Sequence, residues 1–301
     1  MISSLAPNTQ SFLDSLGQIS QRLSRAQREV SSGLKITQAS DAPDQISTLL
    51  QARADLESTQ TIQQNLVRVK AETDAGEQAV SSAVSVLENA QTLGSQGANG
   101  IANADTRKQI AAQVGALLEQ LGALSRTQVE GRFIFSGDND HTPPYTVDLT
   151  QTNPISAYGG TVSTRQIQHP NGTAFSVAKT AQDIFDAADG TKNVFGAVNS
   201  LRAALENNDD KAIASALTDV GTSLSGLNQS LVFYGTTQNK IQSATEFGNT
   251  LQLQLQSHIG SIQDADLTQS IADFQQASTQ QQAAVQMFAK IPHTSLFNFL
   301  A

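Results

Sequence analysis

Near both ends of this chain, apolar side chains recur at alternating steps of four and three. In the first segment Phe12, Leu16, Ile19, Leu23, Ala26 and Val30 follow one another at 4, 3, 4, 3 and 4. That is a heptad-like a/d seam, and it predicts an amphipathic helix that must lay a narrow stripe against another helix. Asp14, Gln18, Gln21, Arg25 and Arg28 occupy the rest of the wheel. Gly33 follows where a C-cap belongs, and Lys35 suits a helix C-terminus. At the other end Ile271, Phe274, Val285 and Phe288 continue a helical period up to Lys290-Ile291-Pro292. An apolar tail carrying Leu296, Phe297, Phe299 and Leu300 follows.

Between the ends the period stays helical for long stretches. Asp41, before Pro43 and Asp44, is a candidate N-cap for a second helix. Ile46, Leu49, Leu50, Leu56, Ile62, Leu66, Val69, Val80, Val84 and Leu87 carry that helix for about 50 residues, a length that suggests a rod. The run from Gly94 through Gly97 to Gly100 is read as a helix–helix turn. No strand precedes these glycines and no Lys follows, so a phosphate-cradling loop is not expected. A third helix starts near Asp105 and carries Ile110, Val114, Leu117, Leu121 and Leu124.

The character changes near residue 131. Gly131 to Gly137 is a short β-prone run, and Pro143, Pro144, Pro154 and Pro170 crowd the next stretch. His169-Pro170-Asn171-Gly172 carries the Asn-Gly hairpin signal, with short strands expected at Thr161–Thr164 and Phe175–Val177. Helical period returns with Val194, Val198, Leu201 and Leu205. It then runs from Ile213 to Ile262, with Asp266 as N-cap of the last helix.

The expected fold is therefore mainly α with a β-rich insertion: a long antiparallel helical hairpin or bundle with terminal coiled-coil helices. Five segments follow. Residues 1–40 form an N-terminal assembly helix that pairs with the C-terminal one, and 41–131 form the outgoing helices. Residues 132–190 form a β-rich outer domain, 191–263 the returning helices, and 264–301 the C-terminal assembly helix. A thin pair of end helices buries too little to offset the entropy of ordering it. Both ends are thus expected to be mobile in a monomer and to fold when other copies cover them. Closure of the same stripe within one chain is the alternative.

Composition narrows the function. Aromatic residues make up 5% of the chain and Trp is absent, which suits narrow helical stripes better than a pocket. A net charge of −9 leaves no electrostatic footprint for nucleic acid. Arg22, Arg25 and Arg28 share one helix face and are read as a solvated stripe. Without cysteine there is no disulfide, no thiolate chemistry and no Cys-based zinc site. No apolar run approaches the ~20 residues of a membrane span. The segment Met1 to Pro7 lacks the basic and apolar regions of a Sec-type signal, so export without a cleaved signal peptide is the expectation.

Two stretches resemble a known family. Val30-Ser31-Ser32-Gly33-Leu34-Lys35-Ile36 with Ser40-Asp41-Ala42-Pro43 is similar to the N-terminal signature of bacterial flagellins and their junction relatives. Ile262-Gln263-Asp264-Ala265-Asp266, running through Lys290 to Leu300, is similar to the C-terminal one. Within that superfamily two further stretches resemble the hook-associated protein 3 family of the hook–filament junction. They are Gly131-Arg132-Phe133-Ile134-Phe135-Ser136-Gly137, with Thr142-Pro143-Pro144-Tyr145, and the ending Ser295 to Leu300. The chain departs from the family in having one acidic residue before Pro43, where two are usual, and in lacking an early Arg.

The resemblance implies a structural subunit between hook and filament, exported unfolded through the flagellar type III channel. It implies hook-associated protein 1, flagellin and other copies in a ring as partners, and an export chaperone on the C-terminal helix. Its assembly interface would comprise Phe12, Leu16, Ile19, Leu23, Val30, Ile271, Phe274, Val285, Phe288, Leu296, Phe297, Phe299 and Leu300. A filament flagellin is the alternative within the family, and a secreted helical adhesin or binding module the alternative outside it. Catalytic, cofactor-binding and metal-binding residues are not expected. His141, His169, His258 and His293 lie far apart and outside any HExxH pattern, and no nucleotide-binding, hydrolase or EF-hand motif is present. Asp138-Asn139-Asp140 and Asp209-Asp210 are acidic turns whose spacing is incomplete for calcium.

Overall fold

The computed structural model describes residues 7–151, 153–187 and 193–290. Helix α1 spans Pro7–Ser32, followed by a 3₁₀ turn at Ala39–Asp41. Helix α2 spans Ile46–Ala98 and α3 spans Ala104–Ser125. Four short strands come next: β1 (Gln128–Val129), β2 (Arg132–Phe133), β3 (Gln166–Gln168) and β4 (Ala174–Ser176). The chain then returns through α4 (Ala181–Phe185), α5 (Val194–Glu206), α6 (Asp210–Gln263) and α7 (Leu267–Lys290). The fold is mainly α with a small β insertion. At 1.5 Å per residue, the 53 residues of α2 and the 54 of α6 each span about 80 Å.

Two compact units divide the chain. One contains residues 59–251; the other contains the two ends, 1–58 and 252–301.

In the middle unit, Val80, Ala83, Leu87 and Ala90 of α2 share a core with Ile110, Val114, Leu118 and Leu121 of α3. Val198, Leu201 and Leu205 of α5 and Ile213, Val220 and Leu227 of α6 complete its helical part. The insertion contributes Phe135, Tyr145, Ile184 and Phe185 to the same core. A second cluster joins Leu66, Val69, Ile241 and Ala244 to Ile167 and Val177 beside the β3–β4 hairpin.

The glycines expected to break the second helix lie inside α2 instead, which continues to Ala98. A Cβ at Gly94 would stand 2.6 Å from Leu217 Cδ2, and one at Gly97 would collide with Leu205. Close helix packing is what requires glycine there. The break comes at Asn99–Ala102, and the Asn103 side chain caps α3 by accepting from Thr106 N–H at 2.8 Å. Buried Arg107 closes this corner. Its guanidinium donates to Gly97 O (2.9 Å) and Asn208 Oδ1 (2.8 Å) and pairs with Asp210.

Both hairpins are antiparallel. Gln128 pairs with Phe133, and Ile167 with Phe175. Glu130 and Gly131 both have positive φ (52° and 76°), as a two-residue primed turn demands. The predicted Asn-Gly turn joins β3 to β4, with Gly172 at φ 91°. The strand expected at Thr161–Thr164 does not form, and Val162 is 83% exposed. That segment braces a turn instead: Thr161 N–H donates to Ser136 O (3.0 Å), and Thr161 Oγ1 accepts from Asp138 N–H (2.8 Å). Four charges tie the insertion to α2. Arg165 bridges Glu72 and Asp140 at 2.6 Å each, and Arg132 lies 3.4 Å from Glu72.

Candidate assembly surface

The end unit is built on the α1–α7 pair and a short chain crossing. α1 stops at Gly33, whose φ of 73° and N–H bond to Glu29 O (2.8 Å) make a left-handed cap. Residues 34–36 then run beside residues 263–265. Lys35 N–H donates to Gln263 O (2.8 Å) and Ala265 N–H to Gly33 O (2.9 Å). Arg53 donates to Gln263 Oε1 at 2.7 Å. Asp266 caps α7 as its position implies, accepting from Thr268 N–H (2.9 Å) and Gln269 N–H (3.1 Å).

Asp41 does not cap α2. Its carboxylate accepts from Thr37 N–H (2.9 Å) and Gln38 N–H (3.0 Å), closing the turn before the 3₁₀ segment. These two backbone donors lower its pKa to about 2. α2 begins later because Gln45 and Ile46 N–H both bond Ala42 O, on the far side of Pro43.

Small residues hold α1 and α7 together. Ala26, Ser270 and Ala277 are buried, and Ser270 Oγ donates to Glu29 Oε2 at 3.0 Å. At the far end of the pair, Phe12 stacks on Phe288 with ring centroids 4.9 Å apart. Of the residues the sequence nominated for assembly, Phe12, Leu16, Ile19, Leu23 and Phe288 are half-buried. Val30, Ile271, Phe274 and Val285 are exposed. Leu296, Phe297, Phe299 and Leu300 lie outside the described residues. Within one chain α1 and α7 lie side by side.

Helix α7 therefore carries two stripes. Ser270, Ala277, Ala284 and Phe288 sit on the buried or half-buried side, in register with the seam of α1. Leu267, Ile271, Phe274 and Val285 recur in phase about 80° further round the helix, at 100° per residue. They are 36–55% exposed. The sequence reading missed the small residues of the first stripe. Their only signal is the seven-residue spacing of Ser270 and Ala277, which is easily lost in a chain rich in both types.

Among the described residues no three His, Asp or Glu side chains gather as metal ligands, and no helix is long and apolar enough to cross a membrane.

The chain is similar to known proteins. The chain matches the bacterial flagellin N-terminal helical region over residues 2–140 and the C-terminal helical region over residues 211–300. It is 26% identical to flagellar hook-associated protein 3 of Escherichia coli, covering 89% of this chain and 90% of that protein. It is 23% identical to a flagellin of Brucella melitensis, over 91% and 89% respectively. Its fold matches that of hook-associated protein 3 from Legionella pneumophila with a TM-score of 0.61 and 14% identity. That likeness covers 72% of this chain and 99% of the other.

Proposed function

The chain belongs to the bacterial flagellin family, and from that premise we propose that it is a structural subunit of the flagellum at the hook–filament junction. Hook-associated protein 3 of Escherichia coli is 26% identical against 23% for the Brucella flagellin over similar spans, which supports the junction over the filament. The observation that carries the reading is the second stripe of α7. One helix partner, α1, leaves Leu267, Ile271 and Phe274 partly exposed over two turns, with Val285 on the same face three turns further on, and exposed apolar side chains grouped on one face mark a contact with another molecule.

In the assembled state these stripes pack against neighbouring copies, with Phe12, Leu16, Ile19 and Leu23 closing the pair within each copy. One neighbour along the flagellum is hook-associated protein 1 and the other is flagellin. Before export, a chaperone covers the C-terminal helix together with Leu296, Phe297, Phe299 and Leu300. The protein works by packing and performs no catalysis.

Deleting the gene tests this directly. The expected phenotype is hooks that persist while flagellin is shed into the medium; filaments that stay attached would sink the assignment. The filament-flagellin alternative rests on the Brucella relative. It predicts that purified chain polymerises into long filaments when seeded, whereas a junction subunit does not.

A further inference from the structure

The β3–β4 hairpin lies on α2 and α6 through a small core of its own. Its Ile167, Phe175 and Val177 pack with Ile62, Leu66 and Val69 of α2 and with Ile241 and Ala244 of α6. That cluster is separate from the large one that holds Phe135, Tyr145 and Phe185. β3 and β4 have three residues each and pair only with one another among the described residues. Between the hairpin and α6 a recess of about 400 Å³ stays open, bordered by His169, Thr173 and Phe175 on one side and Thr236, Lys240 and Ser243 on the other. The tip touches α6 where the His169 and Phe247 rings stand 5.3 Å apart. Charge holds the base. Arg165, just before β3, accepts from Val177 N–H on its carbonyl (3.1 Å) and donates from its guanidinium to Glu72 of α2 and to Asp140, at 2.6 Å each. The side chains of Glu72 and Asp140 are only 10% and 15% exposed, so both depend on the arginines more than on water.

We propose that residues 165–177 are a strap that lifts off α2 and α6 while the rest of the middle unit stays folded, with Arg165 as its latch. A two-stranded hairpin is marginal by itself, and the cost of opening a segment follows what that segment buries. Lifting the strap gives up the burial of Ile167, Phe175 and Val177, whereas unfolding the unit gives up the aromatic core as well. The open strap bares Leu66, Val69 and Ile241, which are 0%, 9% and 1% exposed when it is closed. Removing the Arg165 guanidinium would leave Glu72 and Asp140 to Arg132, at 3.4 and 3.7 Å. Under-compensated charge out of water is relieved by opening, so the latch favours the closed state. The device lies in the middle unit and is independent of how the chain ends assemble.

Hydrogen exchange of the full chain tests this. The amides of His169 and Val177 donate within the hairpin, and that of Ala181 donates to Phe135 O beside the aromatic core. The first two should be roughly tenfold or more less protected than the third. Arg165→Met should lower the protection of His169 and Val177 by roughly a further tenfold and leave Ala181 unchanged. A tether gives the converse in a chain without cysteine. A Cβ at Gly248 would stand 3.4 Å from Pro170 Cγ, within reach of a disulfide. Pro170→Cys with Gly248→Cys, once oxidised, should raise the protection of His169 and Val177 by roughly tenfold over the reduced form. Equal protection of all three amides in the unaltered chain, equal loss at all three in Arg165→Met, or no gain on oxidation would each overturn the proposal. So would a cysteine pair that does not oxidise, because the tip would then lie away from α6. Should Arg165→Met not fold, the tethered chain decides alone.

Discussion

Two single residues report on local energetics. Tyr145 is fully buried against Tyr158 and Phe195, and its hydroxyl has no hydrogen-bond partner among the described residues. Burial also pushes its pKa well up, because a phenolate there would be desolvated. An unsatisfied buried hydroxyl costs about 1–3 kcal/mol, whereas the ring it sits on is well packed. Tyr145→Phe is therefore expected to leave the protein as stable or to stabilise it by about 1 kcal/mol in urea unfolding. A clear loss would mean that the hydroxyl has a partner in solution. Asp41 is the opposite case, an exposed carboxylate held by backbone donors. Its folded pKa of about 2 lies below the ordinary 3.8, so its contribution is complete above pH ~4 and is lost as pH falls towards 2. Protection of the Thr37 and Gln38 amides, relative to their intrinsic exchange at each pH, should fall across that window. Asp41→Asn should remove that pH-dependent change in protection.

At the scale of elements, the α1–α7 pair separates closure within one chain from closure between chains. Phe288 completes a ring stack, while Phe274 points its stripe outward at 36% exposure. Exposed positions away from special contacts usually change stability by about 0.5 kcal/mol or less. Phe274→Ser is thus expected to leave the monomer's melting temperature nearly unchanged and to reduce filament retention. Phe288→Ala should quicken hydrogen exchange along α1 in the monomer. If Phe274→Ser unfolds the monomer to the same extent, its stripe serves the chain's own core. The α2–α3 corner teaches a related lesson. Gly94 and Gly97 read as breakers in the sequence, yet each is the place where a leucine from α5 or α6 meets the helix backbone. A glycine pattern alone does not distinguish a turn from a close crossing.

For the whole molecule, the contrast between the units is one of core composition. Residues 59–251 bury Phe135, Tyr145, Phe185, Phe195 and Tyr234 with many Leu, Ile and Val side chains. The end unit buries mainly Ala26, Ile36, Leu49, Ala52 and Ala277. Small side chains remove little apolar area from water, and area is what stabilises. Limited proteolysis of the monomer should therefore trim both ends and leave a fragment close to residues 59–251. Equal resistance of ends and middle would argue that the end unit is complete without other copies.

What the sequence determined by itself was whatever depends on periodicity along the chain. The 4-3 spacing located α1 and the long helices, Asn-Gly located the β3–β4 turn, and Asp266 announced the start of α7. Each is a local signal read within a few residues. The tertiary structure alone decided which side of a helix is used up. Ile271 and Ala277 look equally suited to a seam in sequence, but only the placement of α1 buries one and leaves the other open. It likewise turned the α2 glycines into packing positions, gave Asp41 to the Thr37–Gln38 turn, and left Thr161–Thr164 without a strand partner. Burial and pairing depend on residues 241 positions apart and more, as between Glu29 and Ser270, and no local pattern carries that distance.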